Sequence, residues 1–282
     1  MKILITGRYG QLGSELHDLQ ANYPQYQIVF VDREEMDLSN ADQIIEVLDK
    51  EQPNVIVSAG AYTAVDKAES DQQLCDAINH LAVKTIGDWA AKNKVKVVHI
   101  STDYVFDGNS ETPLKETDTP DPINVYGLTK LKGEEALQTS GAVYVIIRTA
   151  WVYSTYGANF VKTMMRLMNE REELGVVADQ IGTPTYARDL AQAIMDVISA
   201  QNFVQGIYHY SNEGKISWYD FAVAIKEING YTTKMNAIAS DAFPTPAKRP
   251  NFSLLDKTKI KDTYSVQVPN WRTSLEEMIA KL

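Results

Sequence analysis

The chain has 282 residues, enough to bury a full core as one large domain or as a large and a small lobe. Its composition is 44% hydrophobic and 23% charged, which is ordinary for a globular protein. The net charge of −10, with no basic run, excludes a nucleic-acid backbone as a general partner, and the single cysteine, Cys75, excludes an internal disulfide and fits a reducing compartment.

The first residues enter an apolar run directly, with no basic stretch or cleavage site ahead of it. No apolar run reaches the roughly 18 residues of a membrane span. A soluble cytoplasmic protein with no membrane partner is expected.

"KILIT" (2–6) predicts a strand that ends at glycines. Leu12, Leu16 and Leu19 then recur at helical spacing. "QIVFV" (27–31) is a second strand, and Ser39 with Asp42 three residues later predicts an N-capped helix. "NVIVSAG" is a third strand ending in small residues, and Asp71–Lys92 carries one long helical stripe that includes Cys75 as a filler residue. "VKVVHIS" (95–101) and "AVYVIIRTA" (142–150) are strands four and five, with a helix through Lys130–Leu137 between them. Beyond residue 150 the alternation loosens. "GIYHYS", "SWYDFAVAIKEI", the proline-rich "FPTPAKRPNFSLLD" and "SLEEMIAKL" read as strand, helix, loop and helix.

Apolar strands separated by helices predict an α/β fold, a Rossmann-type doubly wound parallel sheet covered on both faces. The expected division is a dinucleotide-binding domain over 1–150, with a returning segment at about 176–203. A smaller C-terminal substrate lobe takes 151–175 and 204–282.

Gly7, Gly10 and Gly13 lie between the first strand and the first helix. In that context glycines let the backbone approach a pyrophosphate at a helix N-terminus. Asp32, about twenty residues on, is placed to bond an adenosine ribose and favours NAD. Arg33 beside it and Arg8 inside the loop are placed to pair with a 2′-phosphate, so NADPH and NADH both remain open. Tyr9 has no assigned role.

Tyr126 and Lys130 are four apart at the start of a helix and share a face. Ser101 and Thr102 end strand four, on the edge where such sheets bind ligands. A free tyrosine titrates near 10. Lowering that by about 3 units takes roughly 4 kcal/mol, which one ammonium about 4 Å away supplies in a partly screened site. Thr102, Tyr126 and Lys130 are therefore the candidate catalytic residues.

With these motifs in order, the chain resembles the extended short-chain dehydrogenases, and within them the dTDP-4-dehydrorhamnose reductases. The matching stretches include "AYTAVDKAE" (61–69), "STDYVFDG" (101–108), "YGLTKLKGE" (126–134), "RTAWVY" (148–153), "NFVKTM" (159–164), "DQIGTPTYARDLA" (179–191) and "PAKRPNFSLLD" (246–256), so the likeness spans nearly the whole chain. The resemblance implies reduction of the 4-keto group of dTDP-4-dehydro-β-L-rhamnose to dTDP-L-rhamnose, the last step of dTDP-rhamnose biosynthesis, with NADPH or NADH. It implies that Tyr126 gives the proton to O4 and that Lys130 lowers its pKa and binds the ribose. Thr102, Asp103, Tyr104, Trp151, Asn159 and Arg249 would meet the substrate, with Lys248 beside the last. Gly7, Gly10, Gln11 and Leu12 would meet the pyrophosphate, Asp37 and Leu38 the adenine side, and Ala59, Gly60, Ala61, Tyr62 and Thr63 the cofactor beyond strand three.

Some members of that family form a dimer through magnesium held by acidic residues. Glu15 is present here, but Arg188 stands where those members carry an acid and Asp189 is offset by one residue. No metal is expected, and a monomer or weak dimer rather than a magnesium-linked one. Two alternatives stay open at this point: another nucleotide-sugar enzyme of the same fold, such as a 4-epimerase or 4,6-dehydratase, and a non-catalytic NADP-binding regulatory subunit.

Overall fold

The computed structural model describes residues 1–282. The chain runs β1 (Lys2–Thr6), α1 (Gln11–Leu19), β2 (Gln27–Val31), α2 (Ala41–Glu51), β3 (Val55–Ser58), α3 (Val65–Ala68), α4 (Gln72–Asp76), α5 (Ala82–Asn93), β4 (Lys96–Thr102), α6 (Val125–Thr139) and β5 (Val143–Thr149). It continues through β6 (Val152–Tyr153), α7 (Phe160–Glu170), β7 (Glu173–Val177), β8 (Ile181–Gly182), β9 (Thr185–Tyr186), α8 (Ala187–Ser199), β10 (Gly206–His209), β11 (Ile216–Ser217), α9 (Trp218–Asn229), β12 (Lys234–Ile238), α10 (Thr258–Tyr264) and α11 (Trp271–Ile279).

Six parallel strands form the main sheet in the order β10-β5-β4-β3-β1-β2. Its central strands are buried on both faces, so their side chains feed two cores. Ile3, Ile5, Val57, Val98 and Ile147 pack under α1, α8 and α10. Leu4, Ile56, Val97 and Ile146 pack under α2, α5 and α6. Strand order turns back between β1 and β3, which opens a crevice beyond their carboxyl ends. No helix is long and apolar enough to cross a membrane.

The smaller lobe has its own core. Val161, Met164, Leu174, Phe221, Leu275 and Met278 bring together α7, β7, α9 and α11, and β7 pairs with β12. Ser217 and Asp220 form a reciprocal capping box at the start of α9.

Four expectations change. "GIYHYS", assigned above to the small lobe, supplies β10, which pairs with β5 at the edge of the main sheet. Tyr208, Tyr210, Ile260 and Tyr264 are buried in the main core, so α10 belongs there as well. The division of 204–282 is thus corrected: a strand four residues long has an apolar face that only the large sheet covers. The cap of α2 is Asn40, whose Oδ1 accepts from the amides of Asp42 and Gln43. Ser39 instead donates to Asp37 at 2.7 Å. The long helix from Asp71 contains a π turn at Ala77–Leu81. That turn brings the Asn79 carbonyl so near α6 that a Cβ at Gly133 would meet it at 2.2 Å.

One polar contact clamps α6 to the sheet. Arg148 of β5 donates to Glu134 of α6 at 2.9 and 2.7 Å, and both side chains are almost wholly buried. Ser101 of β4 donates to the same carboxylate at 2.5 Å. Truncating one partner strands the other charge away from water. Glu134→Ala is therefore expected to lower unfolding stability by about 3–5 kcal/mol in urea titrations; a loss below about 1 kcal/mol would show that the clamp is dispensable.

Candidate active site

Gly7 has φ +79°, a left-handed conformation that glycine adopts without strain. Its amide donates to Val31 and its carbonyl accepts from Gly10, both at 3.0 Å, so β1 turns tightly into α1. A Cβ at Gly13 would lie 2.0 Å from the Gly7 carbonyl oxygen, so the helix packs on the loop only without a side chain there. No side chain caps α1 at Gly10. Its first amides are left for an anion, which the helix dipole also favours.

This loop forms one wall of a cleft of about 520 Å³. Gly7, Gly10, Gln11, Leu12, Asp32, Arg33, Asp37, Leu38, Ala59, Gly60, Ala61, Thr63, Tyr126 and Lys130 all line it. The glycine cradle, the uncapped helix and the adjacent acidic and basic side chains at β2 fit a dinucleotide.

Tyr62 does not line the cleft. It packs with Ala68 and Cys75 behind it, and its hydroxyl donates to Asp71 at 3.2 Å. Ala59, Gly60, Ala61 and Thr63 face the cleft, and Tyr62 alone in this stretch turns inward. Asp32 lines the cleft, and its two oxygens accept from the amides of Tyr9 and Arg33. It therefore braces the glycine loop against the end of β2 in addition to any ribose contact. Arg8 lies over the Tyr9 ring, 5.2 Å from its centroid. Arg33 is the arginine on the cleft, highly exposed and 3.7 Å from Asp37.

The candidate catalytic residues come from two elements. Asn124 caps α6 by accepting from the Gly127 amide, which starts the helix at Val125, one residue before the tyrosine. Lys130 is buried, and its ammonium donates to the Ile100 carbonyl at 2.6 Å and meets His99 Nε2 at 3.3 Å. Burial pulls Lys130 down to about 8, against the Glu134 carboxylate and Cys75 thiol that hold it up. Burial raises the Tyr126 phenol above its ordinary range, and the Thr102 hydroxyl beside it pulls the other way. The expected net lowering of the Tyr126 phenol is corrected here: the ammonium is turned to β4, and loss of hydration dominates at the phenol.

Thr102 donates to Asp103 Oδ1 at 3.0 Å and accepts from the Tyr104 amide. Asp103 is buried, its Oδ2 has no partner, and burial pushes its carboxyl up to about 6. The Tyr104 ring meets the Tyr126 ring edge-on at 5.7 Å. Trp151 adopts φ +48° and stacks on Trp218 of α9 with centroids 3.7 Å apart, which places the fifth-strand exit against the small lobe.

Arg249 makes a two-pronged pair with Asp66 of α3 at 3.1 and 2.8 Å. It ties the proline-rich loop to the large domain, and Asn124 holds the same loop by donating to the Lys248 carbonyl. Asn159 is the cap of α7, and its amide donates to Gln11 and to the Ser154 carbonyl. Its polar atoms are committed to fastening the small lobe to the glycine loop, and it does not line the cleft.

Glu15 is buried. Its carboxylate accepts from Ser154 at 2.6 Å and has Arg188 at 3.8 Å. Asp189 accepts instead from Asn212 and Ser274. The guanidinium thus supplies positive charge beside Glu15, and no group of three or more metal-ligating side chains is present.

Sequence reasoning missed His99, Glu134, Arg148 and Asp66. For Glu134 a signal existed, its spacing of four from Lys130 on one helix face. The others depend on partners distant in the chain.

The family model described as "RmlD substrate binding domain" matches residues 1–282. A dTDP-4-dehydrorhamnose reductase of Aggregatibacter actinomycetemcomitans is 40% identical, with 99% of this chain and 98% of the relative covered. A solved dTDP-4-dehydrorhamnose reductase of Clostridium acetobutylicum superposes with a TM-score of 0.95 at 40% identity, covering 100% of this chain and 99% of that one. Another, from Bacillus anthracis in complex with NADP, has a TM-score of 0.95 at 37% identity and the same coverage. The likeness extends through both lobes, and the chain belongs to the RmlD substrate-binding-domain family.

Proposed function

We propose that the protein is an NAD(P)H-dependent reductase that converts dTDP-4-dehydro-β-L-rhamnose to dTDP-L-rhamnose, with Tyr126 as the proton donor to O4. The observation that carries this reading is that Tyr126 and Lys130 of α6 open into the same cleft as the glycine loop, in a chain of this family. NADPH or NADH held in that cleft would supply the hydride to C4.

The protein's own part is proton supply and charge management. Burial keeps Tyr126 protonated at neutral pH, the form a donor needs. Once the proton passes to the sugar oxygen, a phenolate remains in a dry site. The Lys130 ammonium and the Thr102 hydroxyl then stabilise it, which offsets part of the cost that burial adds to giving up the proton. Asp103 and Tyr104 stand beside Thr102 and border the sugar in this reading. Trp151, stacked on Trp218, offers an indole edge to it. Arg249 faces the diphosphate end from its pair with Asp66.

Tyr126→Phe keeps the ring and removes the proton. Its turnover with dTDP-4-dehydrorhamnose is expected to fall by about 10²–10⁴-fold, while NADPH affinity, measured by calorimetry, stays within about twofold. A variant with wild-type turnover would end the assignment.

Arg33 is the better-placed reader of a 2′-phosphate, since it lines the cleft and Arg8 does not. Arg33→Ala is expected to weaken NADPH by about tenfold or more, the scale of one charge-assisted contact, and NADH hardly at all. Arg8→Ala should weaken both alike. Equal losses for the two cofactors on Arg33→Ala would contradict this placement.

A further inference from the structure

His99 has no role in the proposed reaction, yet it touches the buried Lys130 ammonium. Strand alternation turns His99 and Ser101 of β4 toward α6. Ser101 meets Glu134, and His99 meets Lys130. His99, Lys130 and Ser58 are each at most 2% exposed.

The hydrogen-bond inventory settles the state of the ring. An ammonium has donors only, so the 3.3 Å contact to Lys130 requires His99 Nε2 to accept. The ring proton then sits on Nδ1 and donates to Ser58 Oγ at 3.1 Å. Burial and the adjacent Lys130 both push His99 well below its ordinary range, so it stays neutral. With the Ile100 carbonyl, His99 takes two of the three ammonium N–H groups and leaves one for the cleft.

We propose that His99 is a positioning residue for Lys130: held by Ser58 in its Nδ1-protonated form, it accepts from the ammonium, aims it and keeps it charged. The proposal rests on the reductase reading only for its effect on turnover. Four titratable groups surround Lys130. Glu134 and Tyr126 lie on its own helix, Cys75 comes from α4 and His99 from β4. The Glu134 charge is shared with Arg148 of β5. Of the four, His99 is the neutral acceptor within bonding reach.

A hydrogen bond to the charged form raises a pKa, so its loss lowers Lys130. The test is an NMR titration of the Lys130 Cε resonance in lysine-labelled protein without substrate, the peak being identified by its absence in Lys130→Arg. His99→Leu is expected to move the midpoint down by about one pH unit or more. His99→Gln, whose amide oxygen reaches the Nε2 position, should return it to within a few tenths. His99→Asn is too short to reach, and it serves if the leucine variant does not fold; the same downward movement is expected. A wild-type midpoint in the leucine or asparagine variant would overturn the proposal.

The alkaline limb of kcat for reduction should move in step with the titration. An absence of turnover in the wild type would count against the reductase reading and leave the NMR result intact. Wild-type turnover with an unmoved titration would count against His99 alone.

Discussion

Glu134 carries its carboxylate to the middle of the protein, and Arg148 of β5 answers it with three hydrogen bonds. Such a pair contributes little to net stability compared with a well-packed apolar one, because both groups lose their water. What it adds is geometry. Arg148 belongs to β5, Ser101 to β4 and Glu134 to α6, so one carboxylate holds three elements in register. Lys130 lies one helical turn before Glu134, and Tyr126 one turn before that. Thr102 follows Ser101 directly. The candidate catalytic groups therefore inherit their spacing from a buried ion pair. One guanidinium nitrogen, Arg148 Nη1, has no partner, although the Phe106 ring lies 5.0 Å from the guanidinium centre.

A second set of contacts joins the lobes around the cleft. Asp66 pairs with Arg249 at α3, Asn159 bonds Gln11 at the glycine loop, and Trp151 stacks on Trp218. The dinucleotide end is built almost wholly from backbone, as an uncapped helix and a glycine turn require. The chemical end is built from buried side chains whose charge states are set by lost water. Asp103, Tyr126 and Lys130 are all shifted toward their neutral forms for that one reason.

Much of this was legible in the amino-acid order. The parallel sheet followed from apolar runs separated by helices, and the cleft from glycines between a strand and a helix. The tyrosine and lysine followed from their spacing of four. What stayed hidden was long-range pairing. His99 sits inside "VKVVHIS", where a single polar residue does not alter a strand pattern. Asp66 and Arg249 are 183 positions apart and carry no mutual mark. Tyr62 sits within a row of cleft-lining residues, and only the local turn of the chain sends it inward. "GIYHYS" follows segments of the small lobe, yet its pairing partner is β5. Local pattern shows that a strand exists; the edge that receives it depends on which sheet has an apolar face to cover.

The most direct test of the account follows the hydride itself. The protein would be incubated with dTDP-4-dehydro-β-L-rhamnose and NADPH carrying deuterium at the transferring position of C4, and the sugar product examined by NMR. The account predicts dTDP-L-rhamnose with deuterium at C4 and one equivalent of cofactor oxidised per product. An epimerised or dehydrated sugar with the cofactor returned reduced, or no conversion while NADPH binds, would contradict it.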